Sequence, residues 1–273
     1  MFSRSDHAVL ADILRAAAVA EIMPRFRHLP AAAVRRKSGP LDLVTDADEA
    51  AEAAITAALH RAFPGCLVVG EEAAARDPAL IGALAAAPLA FTVDPIDGTS
   101  NYAAGLPLFG VMAAAVEHGV TTGAVILDPV CDSYSAALLG QGAWETAPDG
   151  TTSPLHAAAP AQLGQMSGAV SWRFLPPALR DQVLSRLPLL SSIWDHRCAA
   201  HEYRALAAGH SHFVMFNRLM PWDHLPGVLL AQEAGSFAAK FDATPYRPGE
   251  TTGGLICAPD AASWRALHDG LLA

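Results

Sequence analysis

Acidic side chains stand at the points in this chain where apolar runs give way to polar residues, and they define the chemistry available to it. Asp48 lies three residues after Thr45, and Glu71 and Glu72 follow Leu67-Val68-Val69-Gly70. Asp94 and Asp97 flank Pro95-Ile96, and Asp223 follows Pro221-Trp222. In Asp94-Pro95-Ile96-Asp97-Gly98-Thr99, proline pre-sets φ for the second position of a tight turn, which would bring the two aspartates together. Two carboxylates in one small volume do not both ionise freely; either one keeps its proton or a cation lies between them. All-oxygen donors suit Mg²⁺, Mn²⁺ or Ca²⁺ better than zinc. Gly98 lets a ligand approach the backbone, and a helix opening at Thr99-Ser100 would offer N–H groups to a phosphate. The pattern reads as metal-assisted phosphoryl chemistry. Taken singly, each piece has a plainer reading: a polar turn, a solvated Glu-Glu loop, and helix N-caps at Asp48 and Asp223.

The elements that must position these groups follow from apolar spacing and from breakers. A helix is expected over residues 5–27, and a second opens after Thr45, with Asp48 as the acidic partner of a capping box. Pro64-Gly65 stops that helix. Short strands are expected at 67–70 and 89–93, separated by a helix-poor Ala/Pro stretch. From 108 to about 147, Gly110, Gly119, Gly123, Gly140 and Gly142 punctuate Val/Ala runs as in an antiparallel meander. Asp149-Gly150-Thr151-Thr152 reads as a seam between an N-terminal α+β subdomain (1–150) and a C-terminal α/β subdomain (151–273). Beyond it, strands are expected at 170–172, 213–216 and 255–257, and helices at 177–187, 198–208, 225–234 and 261–272. The class is mixed α/β.

Composition narrows the partners. Of 273 residues, 52% are hydrophobic, enough for a substantial core. Eighteen basic against 27 acidic residues give a formal charge of −9, which argues against nucleic acid as the main partner. No run of about 20 apolar residues suggests a membrane span. The four cysteines (Cys66, Cys131, Cys198, Cys257) form no CxxC pair and read as reduced thiols of a cytoplasmic protein. There is no GxxxxGK[ST] phosphate loop and no GxSxG elbow. His201, His210 and His212 invite a metal reading, but an i,i+2 pair shares no helix face. Arg35-Arg36-Lys37 reads as a solvated loop.

Four segments, in order, resemble the inositol monophosphatase family, within the wider group of metal-dependent, lithium-sensitive phosphatases. KSGPLDLVTDAD (37–48) is similar to the family's mobile loop and DLVTxxD element, and Val69-Gly70-Glu71-Glu72 to its GEE element. DPIDGTSNY (94–102) resembles DPIDGTxNF, and PWDHLPGVLLAQEAG (221–235) resembles WDxAAGxxIxxEAG. The resemblance implies a layered α/β/α/β/α sandwich, a homodimer, and a phosphomonoesterase acting on a small phosphorylated metabolite with two to three Mg²⁺ ions, Mn²⁺ being an alternative. Glu71, Asp94 and the Ile96 carbonyl would hold one ion, and Asp94, Asp97 and Asp223 a second. Glu71 and Glu72 would help place a looser third through water. Asp48 and Thr99 would orient and deprotonate the attacking water, while Gly98, Thr99 and Lys37 would meet the phosphate. Substrate selection departs from the family: Asn217 stands near the place of a sugar-binding Glu, in a segment one residue shorter. Glu202, in a helix similar to GSAALEY, either faces the pocket or lies exposed beside Arg204. Inositol 1-phosphate or a related sugar or polyol phosphate leads; histidinol phosphate, fructose 1,6-bisphosphate and 3′-phosphoadenosine 5′-phosphate stay open. A non-catalytic phosphometabolite binder or interaction protein is the reading from another class.

Overall fold

The computed structural model describes residues 2–36 and 43–273. The chain runs α1 (Arg4–Ala17), β1 (Val34–Arg36), β2 (Leu43–Thr45), α2 (Asp46–Ala62), β3 (Leu67–Gly70), α3 (Glu71–Arg76) and α4 (Ala79–Ala83). It continues through β4 (Ala90–Asp97), α5 (Thr99–Ala103), β5 (Gly110–Glu117), β6 (Val120–Asp128), β7 (Ser133–Leu138), β8 (Ala143–Thr146) and β9 (Thr152–Pro154). The later part holds β10 (Ser167–Val170), α6 (Pro177–Arg186), β11 (Ser192–Trp194), α7 (Ala199–Ala207), β12 (Phe213–Phe216), α8 (Pro221–Glu233), β13 (Phe237–Lys240), β14 (Leu255–Ala258) and α9 (Ala261–Leu271).

Two large sheets organise the chain. One has the order β3-β4-β5-β6-β7-β8-β9, antiparallel except for the parallel β3–β4 pair. The other has the order β11-β10-β12-β14-β13, with β10 parallel to both its neighbours. Helices α1 and α2 cover the outer face of the first sheet, α7 and α8 fill the space between the sheets, and α6 and α9 cover the outer face of the second. This is the expected five-layer α/β/α/β/α sandwich. Strand alternation shows both faces in use. Val111, Ala113 and Ala115 of β5 face α1 and α2, while Met112, Ala114 and Val116 face the middle layer. Strands buried on both faces read in sequence as unbroken apolar runs, as this meander does.

Several local expectations change. The first helix ends at Ala17 and continues as a π turn (Ala18–Ile22) and a 3₁₀ turn (Met23–Arg25). Pro24 cannot donate to an α-helical ladder, and the Tyr102 hydroxyl takes up the Ile22 carbonyl at 2.8 Å. The stretch after Gly70 is not helix-poor, since it holds α3 and α4. The last strand of the meander, β9, pairs with β8, and residue 150 lies in the turn between them. No helix among the described residues is long and apolar enough to cross a membrane.

Candidate active site

Asp94 and Asp97 are three residues apart, which in a regular strand puts them on opposite faces. The structure solves this with a bulge rather than the expected turn. β4 continues through Asp97, and its pairing passes from Asp94↔Met112 to Asp97↔Gly110, three residues against two. One extra residue reverses the alternation, so both aspartates line the same pocket. Pro95 is tolerated because the bulge asks no ladder donor of it. The Ile96 N–H, also released from the ladder, donates to Asp94 Oδ1 at 2.9 Å.

Gly98 then takes φ 88°, in the left-handed region, and caps α5. A Cβ there would lie 2.9 Å from the Leu108 carbonyl, so only glycine fits. Thr99, the first residue of α5, places Oγ1 2.9 Å from the Ile96 carbonyl and 3.2 Å from Asp48 Oδ1. The expected capping box is present: Asp48 Oδ2 accepts the Thr45 N–H at 2.8 Å and its hydroxyl at 2.5 Å. Asp48 therefore caps α2 with one oxygen and meets Thr99 with the other. Burial, opposed by the Thr45 bonds and aided by the Glu71 charge, pushes Asp48 up to about 7.

Glu71 heads α3 and Asp223 lies in the first turn of α8, and both join Asp94 and Asp97 in lining the pocket. Burial, then the charges of Glu71, Asp223 and Asp97, hold Asp94 well above the ordinary carboxylate range. Asp223 is raised by burial, then by Asp97 and Glu71, with Arg218 opposing. Burial pushes Asp97 up to about 6, although its Oδ2 accepts the Ala200 N–H at 2.6 Å and the Cys198 thiol at 3.0 Å. Carboxylates gathered at one pocket, with Asp94, Asp97 and Asp223 raised by burial, call for a compensating cation, and oxygen-only donors suit a hard divalent one. The residues fit such an ion. That fit is one of donor chemistry: among the described residues, no group of three or more His, Cys, Asp or Glu side chains is placed to hold a metal ion. Asp97 and Asp94 each commit one oxygen to a protein donor.

The other expected site residues divide. Glu202 is 2% exposed and lines the pocket, where its Oε1 accepts the His196 N–H at 2.8 Å. Arg204, two residues on and so on the other side of the helix, leaves the pocket for Asp128 (3.1 Å) and Glu145 (3.0 Å). Glu72 is buried behind the pocket rather than lining it. Asn217 also lies off the lining and donates to the Phe174 carbonyl at 2.6 Å. Lys37 lies outside the described residues. His201 and His212 bond to different partners, Phe109 and Ser167, and neither these two nor His210 line the pocket.

Some groups that build the site escaped the sequence reading. Glu52 is buried and accepts the N–H groups of Glu72 at 2.7 Å and Ala73 at 2.8 Å, which caps α3 and fixes where Glu71 points. Its signal was readable: a carboxylate one turn after Asp48, on the apolar face that carries Ala51 and Ile55. Asn101 donates to the Leu108 and His196 carbonyls, both at 2.8 Å, and accepts from Arg197 at 2.6 Å, tying the two halves of the chain together. Arg173, Arg197 and Arg218 also line the pocket.

The inositol monophosphatase family model matches residues 6–273. An inositol-1-monophosphatase of Mycobacterium leprae is 32% identical over 247 residues, covering 88% of this chain and 80% of that protein. A histidinol-phosphatase of Streptomyces coelicolor is 30% identical over 277 residues, covering 98% and 96%. The solved extragenic suppressor protein suhB of Bartonella henselae shares the fold, with TM-score 0.79, 24% identity and 97% of each chain covered. With the acidic pocket and the five layers in place, these matches establish that the chain belongs to the inositol monophosphatase family, a family of phosphomonoester hydrolases that generally use divalent metals.

Proposed function

We propose that this chain is a Mg²⁺-dependent phosphomonoesterase acting on a small sugar or polyol phosphate, with inositol 1-phosphate as the reference substrate. The observation that carries the reading is the meeting of Asp223, from the start of α8, with Asp94, Asp97 and Glu71 in one pocket. Glu71, Asp94, the Ile96 carbonyl, Asp97 and Asp223 would hold two ions. Bound divalent ions supply a water of lowered pKa and charge stabilisation at the leaving oxygen.

The protein's own groups do the rest. Thr99 Oγ1, between the Ile96 carbonyl and Asp48, orients the attacking water and passes its proton to Asp48 Oδ1. Asp48 is suited to receive it because burial has brought it up to about 7, near the working pH. Gly98 and Thr99 present N–H groups at the start of α5 to the phosphoryl oxygens, with Lys37 as a further contact. The non-bridging charge that grows during in-line displacement is met by groups already in position. Phosphate release from a panel of esters with Mg²⁺ tests the reading, with Asp97→Asn as the control. The expected result is turnover by the parent chain and none by the variant; a variant as active as the parent contradicts the assignment.

A further inference from the structure

Strands β10, β11 and β12 are parallel, so the loops that follow them emerge at one end of the second sheet. After β10 the chain turns to α6 on the outer face, whereas after the neighbouring β12 it turns to α8 in the middle layer. Adjacent strands whose connections leave in opposite directions open a crevice at their carboxyl ends, where open α/β sheets bind ligands. Here the residues at that crevice line the same pocket as the carboxylates.

Arginines occupy all three loops: Arg173 after β10, Arg197 after β11 and Arg218 after β12, each lining the pocket. Their pairing differs. Arg173 is neutralised by Asp195 at 2.9 Å. Arg197 donates to the uncharged Asn101 side chain, and Arg218 rests over the Phe174 ring at 5.7 Å. Among the described residues neither makes an ion pair. The acids nearby are engaged: Glu202 holds the His196 N–H, and Asp195 accepts from both Arg173 and the Arg197 N–H. Arg197 also sits at φ 55°, a left-handed conformation that arginine seldom takes, pinned by that Asp195 bond and by Asn101. Arg218 is steadied through its carbonyl, which bonds His224 Nε2 at 2.8 Å, and Asn217 ties its loop to Phe174.

Two exposed guanidiniums that make no salt bridge among the described residues, lining the same pocket as the phosphoryl site, point to a second anion, although the Arg218 charge is also felt by Asp223. We infer that the preferred substrate is a phosphate ester whose organic part carries another anionic group, a carboxylate or a second phosphate, held by Arg218 and Arg197. This rests on the phosphatase reading above and narrows its substrate. A cationic tail, as on histidinol phosphate, meets the wrong sign of charge here.

The test is steady-state hydrolysis by the full chain with Mg²⁺ of four esters. Glycerol 2-phosphate carries a neutral tail, 3-phosphoglycerate a carboxylate, fructose 1,6-bisphosphate a second phosphate, and histidinol phosphate an amine. One of the two anionic-tail esters is expected to exceed the neutral one in kcat/KM by about tenfold or more, the scale of one hydrogen bond to a charged group. Which of the two wins identifies the anion. In Arg218→Gln that ratio falls about tenfold, with a smaller fall in Arg197→Gln and partial retention in Arg218→Lys, and the preference weakens with added salt. Equal rates for neutral and anionic tails, a preference for the amine, or an Arg218→Gln loss common to all four esters would each overturn the inference while leaving the phosphatase reading intact. Release of phosphate from none of them removes both.

Discussion

Two sets of charges line the pocket: an acidic end of the charge pattern, Glu71, Asp94, Asp97 and Asp223 on α3, β4 and α8, and a basic end, Arg173, Arg197 and Arg218 on the loops after β10, β11 and β12. The acidic end is held by helix starts and the β4 bulge, and burial with mutual repulsion raises Asp94 and Asp223. The basic end has charges without carboxylate partners at Arg197 and Arg218, and its order comes from side-chain ties at Asn101, Asp195 and His224. The contrast suggests a division of labour: the acidic end holds cations and does chemistry common to the family, while the basic end chooses the substrate.

The largest consequence concerns charge stored behind the acidic end. Asp48 moves from an ordinary value of 3.8 to about 7 on folding. Its folded pKa lies above the unfolded one, so the folded state favours the protonated form. Stability from this group is full below about pH 4 and is lost as pH rises towards 7, by on the order of 4 kcal/mol. Thermal unfolding of the metal-free protein across that range should show the fall, and saturating Mg²⁺ should reduce it. A metal-free protein that gains stability between pH 4 and 7 would break the picture of an acidic end raised by burial.

Next in size is Asp94→Asn. Activity should fall about 10²- to 10³-fold, since a charge-stabilising centre is lost. The metal-free protein should keep or raise its Tm, because burial and the neighbouring carboxylates already disfavour a charge at this position. An unfolded variant would mean that Asp94 is structural.

Glu52→Gln sharpens the comparison one step back from the pocket. It keeps one acceptor for the Glu72 and Ala73 N–H groups but loses the charge that caps α3. The Mg²⁺ concentration for half-maximal rate should rise about 10- to 100-fold, with kcat less affected. A fall in kcat at an unchanged metal midpoint would remove Glu52 from the positioning of Glu71.

Its counterpart at the basic end is Asn101→Ala, which strands the Leu108 and His196 carbonyls and releases Arg197. A stability loss of about 1–3 kcal/mol is expected, with KM rising and the metal midpoint unchanged. The smallest effect belongs to Asn217→Ala, which loses one exposed hydrogen bond and should cost about 1 kcal/mol or less in chemical denaturation.

The two ends also differ in how far the sequence exposed them. Asp48, Glu71, Asp94, Asp97 and Asp223 were legible because helix starts and strand ends leave local signals: the Thr45 capping box, the Gly70 boundary, the glycine after Asp97, and Pro221 at the head of α8. Even there, the turn expected at Pro95 is a bulge, because a proline signals a missing donor and not which backbone geometry absorbs it. The layers were legible from the family resemblance and from apolar runs such as that of β5. Strands β1, β11 and β13, short and partly exposed, carried too little pattern to be read. The basic end stayed hidden for a different reason. Arg173, Arg197 and Arg218 are ordinary loop arginines in sequence, and only the crossing of β10, β11 and β12 brings them to one pocket. Glu202 shows the same limit: helical spacing allowed either face, and packing of α7 between the sheets chose the pocket.

The central claim is that oxygen ligands from α3, β4 and α8 gather the divalent ions on which turnover depends. Its most direct test is phosphate release by the full chain as free Mg²⁺ is lowered with EDTA. The rate should fall to background once chelator exceeds metal and return when Mg²⁺ is restored. Undiminished turnover in excess EDTA would contradict the account.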